Sequence, residues 1–144
     1  MSRTLVIALA LGASIALPEA QSAQYRARLS VVPIDIPMQS TIAGSGSASA
    51  TLKGTTLTVS GTFAGLKTPA TAVRVHRGPK TAMRGPAIGD LTATAATSGS
   101  ISGSLDLTKE QIDDLAAGRL YLQLHSQKAP DGNLWGWLLA VQKK

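Results

Sequence analysis

The sequence predicts an all-β domain, a β-sandwich with one short connecting helix, and a barrel as its main competitor. Three observations predict it. Apolar and polar residues alternate with a period of two through most of the chain after position 24. Glycine, proline and small hydroxyl residues interrupt that alternation at short intervals. Only one stretch, beginning at Thr108, carries the signals of a helix.

The elements follow in order. Arg3 precedes 14 almost unbroken apolar residues, 4–17, which Pro18 ends. That run is shorter than the roughly 20 residues of a bilayer span, and it reads as a signal peptide over 1–22. Ala20 and Ser22 supply the small side chains that cleavage after Ser22 needs, and an uncleaved anchor is the rival reading. The expected mature chain is one domain over 23–144, located in the periplasm, with secretion or peripheral membrane association as alternatives.

The first strand is expected over 25–32, and Pro33 and Pro37 break it. Residues 46–52 and 56–63 form the clearest hairpin, turning at Lys53-Gly54-Thr55. A fourth strand covers 70–76, a loop 80–89, and two more strands 90–95 and 100–107. Thr108 then serves as N-cap, with Gln111 completing a capping box and Leu107 and Ile112 placed for a hydrophobic staple. Ile112 and Leu115 face inward, and Gly118 ends the helix. Two final strands, 119–125 and 133–141, flank a loop holding Pro130, Asp131 and Gly132.

Composition removes several classes of function. With no cysteine, the chain has no disulfide, haem c attachment, iron–sulfur cluster or thiol nucleophile. The net charge of +6 comes from scattered residues rather than a basic stripe interleaved with aromatics, which argues against nucleic acid. An acidic membrane surface or an acidic protein remains a reasonable counterpart for that charge. No serine lies in a Gly-x-Ser-x-Gly elbow, and no glycine tract matches a phosphate or dinucleotide loop.

Three stretches together resemble the CHRD domain, the module named after chordin and widespread in bacterial secreted proteins. The first is Tyr25-Arg26-Ala27-Arg28-Leu29 with the hairpin from Ala50 to Phe63. The second runs from Ala70 through Val73-Arg74-Val75-His76-Arg77-Gly78-Pro79. The third starts at Leu107-Thr108 and includes Leu120-Tyr121-Leu122-Gln123-Leu124-His125 and Asp131-Gly132-Asn133-Leu134-Trp135-Gly136. The resemblance implies an immunoglobulin-like or superoxide-dismutase-like Greek-key sandwich. It implies much less about activity.

Two features bear on function. His76 and His125 are the only histidines, each near a strand end, and are weak candidates for a metal. The resembled family commonly places His-x-His in the fourth strand, His in the penultimate strand and Glu at the start of the last. Those positions here hold Arg74, His76, His125 and Asn133, so two ligands are missing and one is a cation. The structural reading is that both histidines are partly buried and hydrogen-bonded to each other or to backbone.

The second feature is the last strand, apolar on both faces. Trp135, Trp137, Leu139 and Val141 occupy the side where the resembled family usually carries polar residues at the two tryptophan positions. Either the indoles pack under the 80–89 loop or the helix, or they form a stripe for another protein, or they are a ligand platform. On the second reading, at least one indole stays accessible in the isolated domain. The function expected is a non-catalytic periplasmic interaction protein without a cofactor. It would be a small accessory subunit of a larger exported or membrane-attached complex, for example a periplasmic dehydrogenase. A metal-binding or superoxide-dismutase-like protein is the alternative.

Overall fold

The computed structural model describes Gly12 and residues 22–143, so the leader expected over 1–22 lies outside the described residues apart from these edges. The strands are β1 (Ser22–Val31), β2 (Ser45–Lys53), β3 (Thr56–Ala64), β4 (Ala70–Arg77), β5 (Ala87–Ala93), β6 (Gly99–Asp106), β7 (Leu120–Ser126), β8 (Ala129–Trp137) and β9 (Leu139–Ala140). Helix α1 (Lys109–Ala116) lies between β6 and β7, and a short 3-10 turn (Ile36–Ser40) follows β1. Among the described residues no helix is long and apolar enough to cross a membrane.

All pairings are antiparallel and run in a ring, β1-β2-β3-β6-β5-β4-β7-β8, that returns to β1. The fold is a closed eight-stranded barrel with β9 as an extra strand on β1. Its kinship with the expected sandwich lies in two corner strands. β1 pairs with β2 from Ser22 to Leu29 and then with β8 at Ser30 and Val31. β5 pairs with β4 up to Leu91 and with β6 from Thr92. Each corner strand leaves one layer and joins the other, so two layers close without a free edge. The spatial order β7-β4-β5-β6 is a Greek key whose long connection carries α1.

Small side chains let the strands approach closely. A Cβ on Gly61 would lie 2.4 Å from the Ser47 carbonyl oxygen, and one on Gly136 would lie 2.4 Å from that of Arg28. Across the ladders Gly46 faces Phe63 and Ala50 faces Val59, so a small residue meets a large one. The bore is filled by Leu29, Leu57, Val59, Ile101, Leu122 and Leu134, all buried.

The last strand departs from expectation in an informative way. Ser30 pairs with Trp135 and Tyr25 with Ala140, so β8 and β9 share one register against β1 and are two pieces of the strand expected over 133–141. The interruption comes at Leu138, whose N–H turns to the Leu120 carbonyl on β7. Pro130, Asp131 and Gly132, expected as a loop, belong to β8, where a register shift opposite Leu124 and Ser126 bulges the strand outward. The loop expected over 80–89 ends earlier, because Ala87 already pairs with His76.

Helix α1 begins as its sequence predicts. Thr108 Oγ1 accepts the Gln111 N–H at 3.2 Å, and Gln111 Oε1 accepts the Thr108 N–H at 3.0 Å. Leu115 is buried in the core and Ile112 packs against it. Between them Asp114 is buried to 4% exposure, with Arg77 Nε at Oδ2 and Arg119 Nη1 3.3 Å from Oδ1. This fork ties the crossover to the end of β4 and the start of β7. Asp114→Asn preserves volume but removes the charge both guanidiniums face. It is expected to lower stability by about 2–3 kcal/mol, read as a fall in urea midpoint at unchanged m-value.

Candidate functional site

The period of two along β4, β7 and β8 sorts their side chains between bore and outer wall. Val73, Val75, Leu122, Leu124 and Leu134 point into the core. Arg74, His76, Tyr121, Gln123, His125, Trp135 and Trp137 therefore stand on the outside. The register sets them in rows: His76 pairs with Tyr121 and Tyr121 with Trp137, while Arg74 pairs with Gln123 and Gln123 with Trp135. Yet every residue of β7 is buried, whichever way it points. A second packed layer covers this part of the barrel.

Tyr121 is the centre of that layer. Its ring stacks on His76 at 4.9 Å between centroids and packs on Trp137 at 4.5 Å, with the edge of Trp135 at 5.8 Å. Residues 78–86 form the roof. Tyr121 Oη accepts the Gly85 N–H at 3.0 Å and donates to the Gly85 carbonyl at 3.2 Å, and His76 Nδ1 donates to the same carbonyl at 2.9 Å. Gly78 lies so close to Trp137 that an added Cβ would fall 2.9 Å from its ring. The Arg84 guanidinium carbon sits 5.7 Å from the Trp135 ring centroid, a cation–π contact.

The bulged start of β8 roofs the other half. His125 Nδ1 donates to the Pro130 carbonyl at 2.8 Å, and Gln123 Nε2 donates to that of Asp131 at 3.1 Å. Trp135 also packs against a small cluster of Val32, Ile42 and Ala129.

The two histidines are thus bonded to backbone, not to each other. A carbonyl oxygen only accepts, so Nδ1 carries a proton in both rings. His76 Nε2, His125 Nε2, Gln123 Oε1 and Asn133 Oδ1 are buried polar atoms with no protein hydrogen-bond partner. The rings lie 6.4 Å apart, so the sheet brings together the two weak metal candidates. It does not bring them a third ligand: Arg74 pairs with Asp90 at 3.0 Å, both exposed, and Asp131 is exposed too. Among the described residues no three His, Cys, Asp or Glu side chains form a group able to hold a metal, whereas zinc sites use three or four protein ligands.

The four stripe residues divide. Trp135 and Trp137 are half-buried, each partly covered by the chain's own residues. Leu139 and Val141 are exposed at 52% and 37%. Trp137, Leu139 and Val141 line one shallow groove of about 600 Å³ with Arg26 and Arg28, while Trp135 turns toward Val32 and Ile42. Tyr121, Gln123 and Arg84 join the site only through the fold. Tyr121 and Gln123 had a signal, since they alternate with Leu120, Leu122 and Leu124 on a strand followed by another apolar on both faces. Arg84 had none.

The CHRD domain family model matches residues 25–138. The chain belongs to the CHRD domain family. No curated protein and no solved structure matches it. In this CHRD domain the match ends at Leu138, so the exposed Leu139 and Val141 lie just beyond the matched region.

The histidine beneath the roof makes stability depend on pH. Burial lowers the pKa of His76 below its usual 6.5, His125, Arg74 and Arg84 push the same way, and the bond to Gly85 opposes them. Well above 6.5 the residue is neutral folded and unfolded, and its contribution is complete. Below 6.5 the unfolded chain takes the proton first, so stability falls until the pH passes the folded-state value. The urea midpoint should drop between about pH 7.5 and pH 5, and by less in His76→Gln. An equal drop in that variant would place the dependence elsewhere.

Proposed function

We propose that this CHRD domain is a non-catalytic docking subunit of an exported assembly. The partner is a larger exported or membrane-attached protein, for which periplasmic dehydrogenase complexes are one example. The periplasmic setting rests on Arg3 and the apolar run before Pro18. The non-catalytic reading rests on the missing cysteine and on the described residues' lack of a metal-holding group.

One observation carries the docking reading. On the outer wall Arg26 pairs with Leu139 across β1 and β9, and Arg28 comes next along β1, on the side of Trp137. Val141 continues the apolar row, and its N–H holds the Gln24 carbonyl at 2.9 Å. Exposed apolar side chains therefore sit beside two guanidiniums that, among the described residues, make no ion pair. Such a face fits a partner segment that offers apolar residues flanked by carboxylates.

Trp137 is a poor place to test this, because its ring also packs on Tyr121 and its loss disturbs the fold. Leu139 and Val141 are cleaner. Replacing both with Ser should change folding stability by no more than about 0.5–1 kcal/mol, as for exposed positions. Association should weaken by about tenfold or more, since each side chain covered at a contact adds roughly 1 kcal/mol. The measurement is recovery of a stoichiometric complex from periplasmic and membrane extracts, wild type against variant, beside urea midpoints. A wild type that stays monomeric in those extracts, or a complex the variant keeps in full, would refute the proposal.

A further inference from the structure

The end of the barrel opposite α1 carries an apolar prong that the core does not use. Because every pairing is antiparallel, β1, β3, β5 and β7 end where β2, β4, β6 and β8 begin. That end therefore gathers the loops 32–44, 65–69, 94–98 and 127–128. The first of them holds Ile34, Ile36 and Met38, large apolar side chains left in water, and Ile36 is 82% exposed. The 3-10 turn at Ile36–Ser40 buries none of its residues. It is nevertheless held firmly. Val32 and Ile42 are buried on either side, and Pro33 and Pro37 restrict the backbone between them. The Met38 carbonyl accepts the N–H groups of Thr41 and Ile42, each at 3.0 Å, and Asp35 Oδ1 accepts the Met38 N–H at 3.3 Å.

Shape and charge say what such a prong meets. The loop 32–44 contains no aromatic residue and no arginine, the anchors on which protein contacts mostly depend. A bilayer interface, by contrast, accepts a protruding aliphatic tip without a matching pocket. On neighbouring loops of the same end stand Lys67 and Lys128, both exposed, against Asp35 alone. The Lys128 N–H donates to Thr68 Oγ1 at 3.1 Å, which ties those two loops together. In the cleft beside Met38, Arg84 and Asp131 add one charge of each sign. Three cations against two carboxylates leave this end positive, and the net charge of +6 draws the whole chain toward an anionic surface.

From this arrangement we infer that the prong docks the domain on an anionic phospholipid bilayer. Ile34, Ile36 and Met38 enter the headgroup boundary, and Lys67 and Lys128 meet the lipid phosphates. The surface stands apart from the groove of the docking role, since Leu139 pairs with Arg26 and Val141 with Gln24, toward the far end of β1. Either can fail without the other.

The mature protein is mixed with vesicles of phosphatidylcholine, with and without phosphatidylglycerol, and flotation measures the bound fraction. Binding to the vesicles with phosphatidylglycerol is expected, weakened about tenfold in Ile36→Ser and about fivefold in Lys128→Gln. Leu139→Ser should bind them as the wild type does. Ile36 is too exposed for its loss to disturb the fold, and equal urea midpoints check this. The chain has no cysteine, so Ile36→Cys carries an environment-sensitive dye at one place, and its emission should shift to the blue at saturating lipid. No flotation with either vesicle, equal flotation of Ile36→Ser, or an unshifted dye would overturn the inference. So would an Ile36-dependent complex with a protein in place of vesicle binding.

Discussion

The narrowness of the bore governs the rest of the molecule. Gly46, Gly61 and Gly136 bring neighbouring backbones so close that no side chain fits between them. The space inside is then filled by Leu, Val and Ile, and the two rings it admits, Tyr25 and Phe63, face Ala50 and Gly46 across the ladder. Larger aromatics have no room there. Tyr121, Trp135 and Trp137 stand on the outer wall instead, where apolar area of that size needs its own cover. The roof loop and the bulged start of β8 supply it. A tight barrel and a second aromatic layer outside it are one solution to the same packing problem.

Electrostatics organises what the packing leaves at the surface. A chain with a net charge of +6 must place its cations somewhere, and the fold assigns several of them distinct surroundings. Arg77 and Arg119 converge on one buried carboxylate, Arg84 lies against an indole, and Arg74 meets Asp90. Arg26 and Arg28 are left facing solvent beside apolar residues.

Much of the fold was legible because it is written in local patterns. The alternation through the hairpin of β2 and β3 and the Thr108–Gln111 pair each report on residues close in the chain, and the structure keeps both. Barrel closure was not legible in the same way. It depends on β1 and β5 each changing partners midway, at Leu29 and at Leu91, and nothing local marks those points. Pro130 and Gly132 read as turn residues because they usually are. Here they bend a strand over His125 and Gln123 instead. The site was half visible: the two-faced last strand pointed to Trp135 and Trp137, but their cover comes from Gly78 and Arg84, more than fifty residues earlier in the chain. The approach of His76 to His125 likewise needs β4 and β7 to be neighbours, which only the topology supplies.

The hydrogen bond from Val141 to Gln24 has a consequence for how such a domain is used. The described chain enters and leaves the barrel at the same place, on adjoining strands. A unit built this way is an insertion cassette: spliced into a surface loop of a host protein, it separates the two ends of that loop hardly at all. The same geometry suits circular permutation, with old ends joined by a short linker and new ones opened at an exposed turn such as Lys53-Gly54-Thr55. It also lets copies be strung along one polypeptide like beads, each hanging to the side of the thread and folding without help from the next.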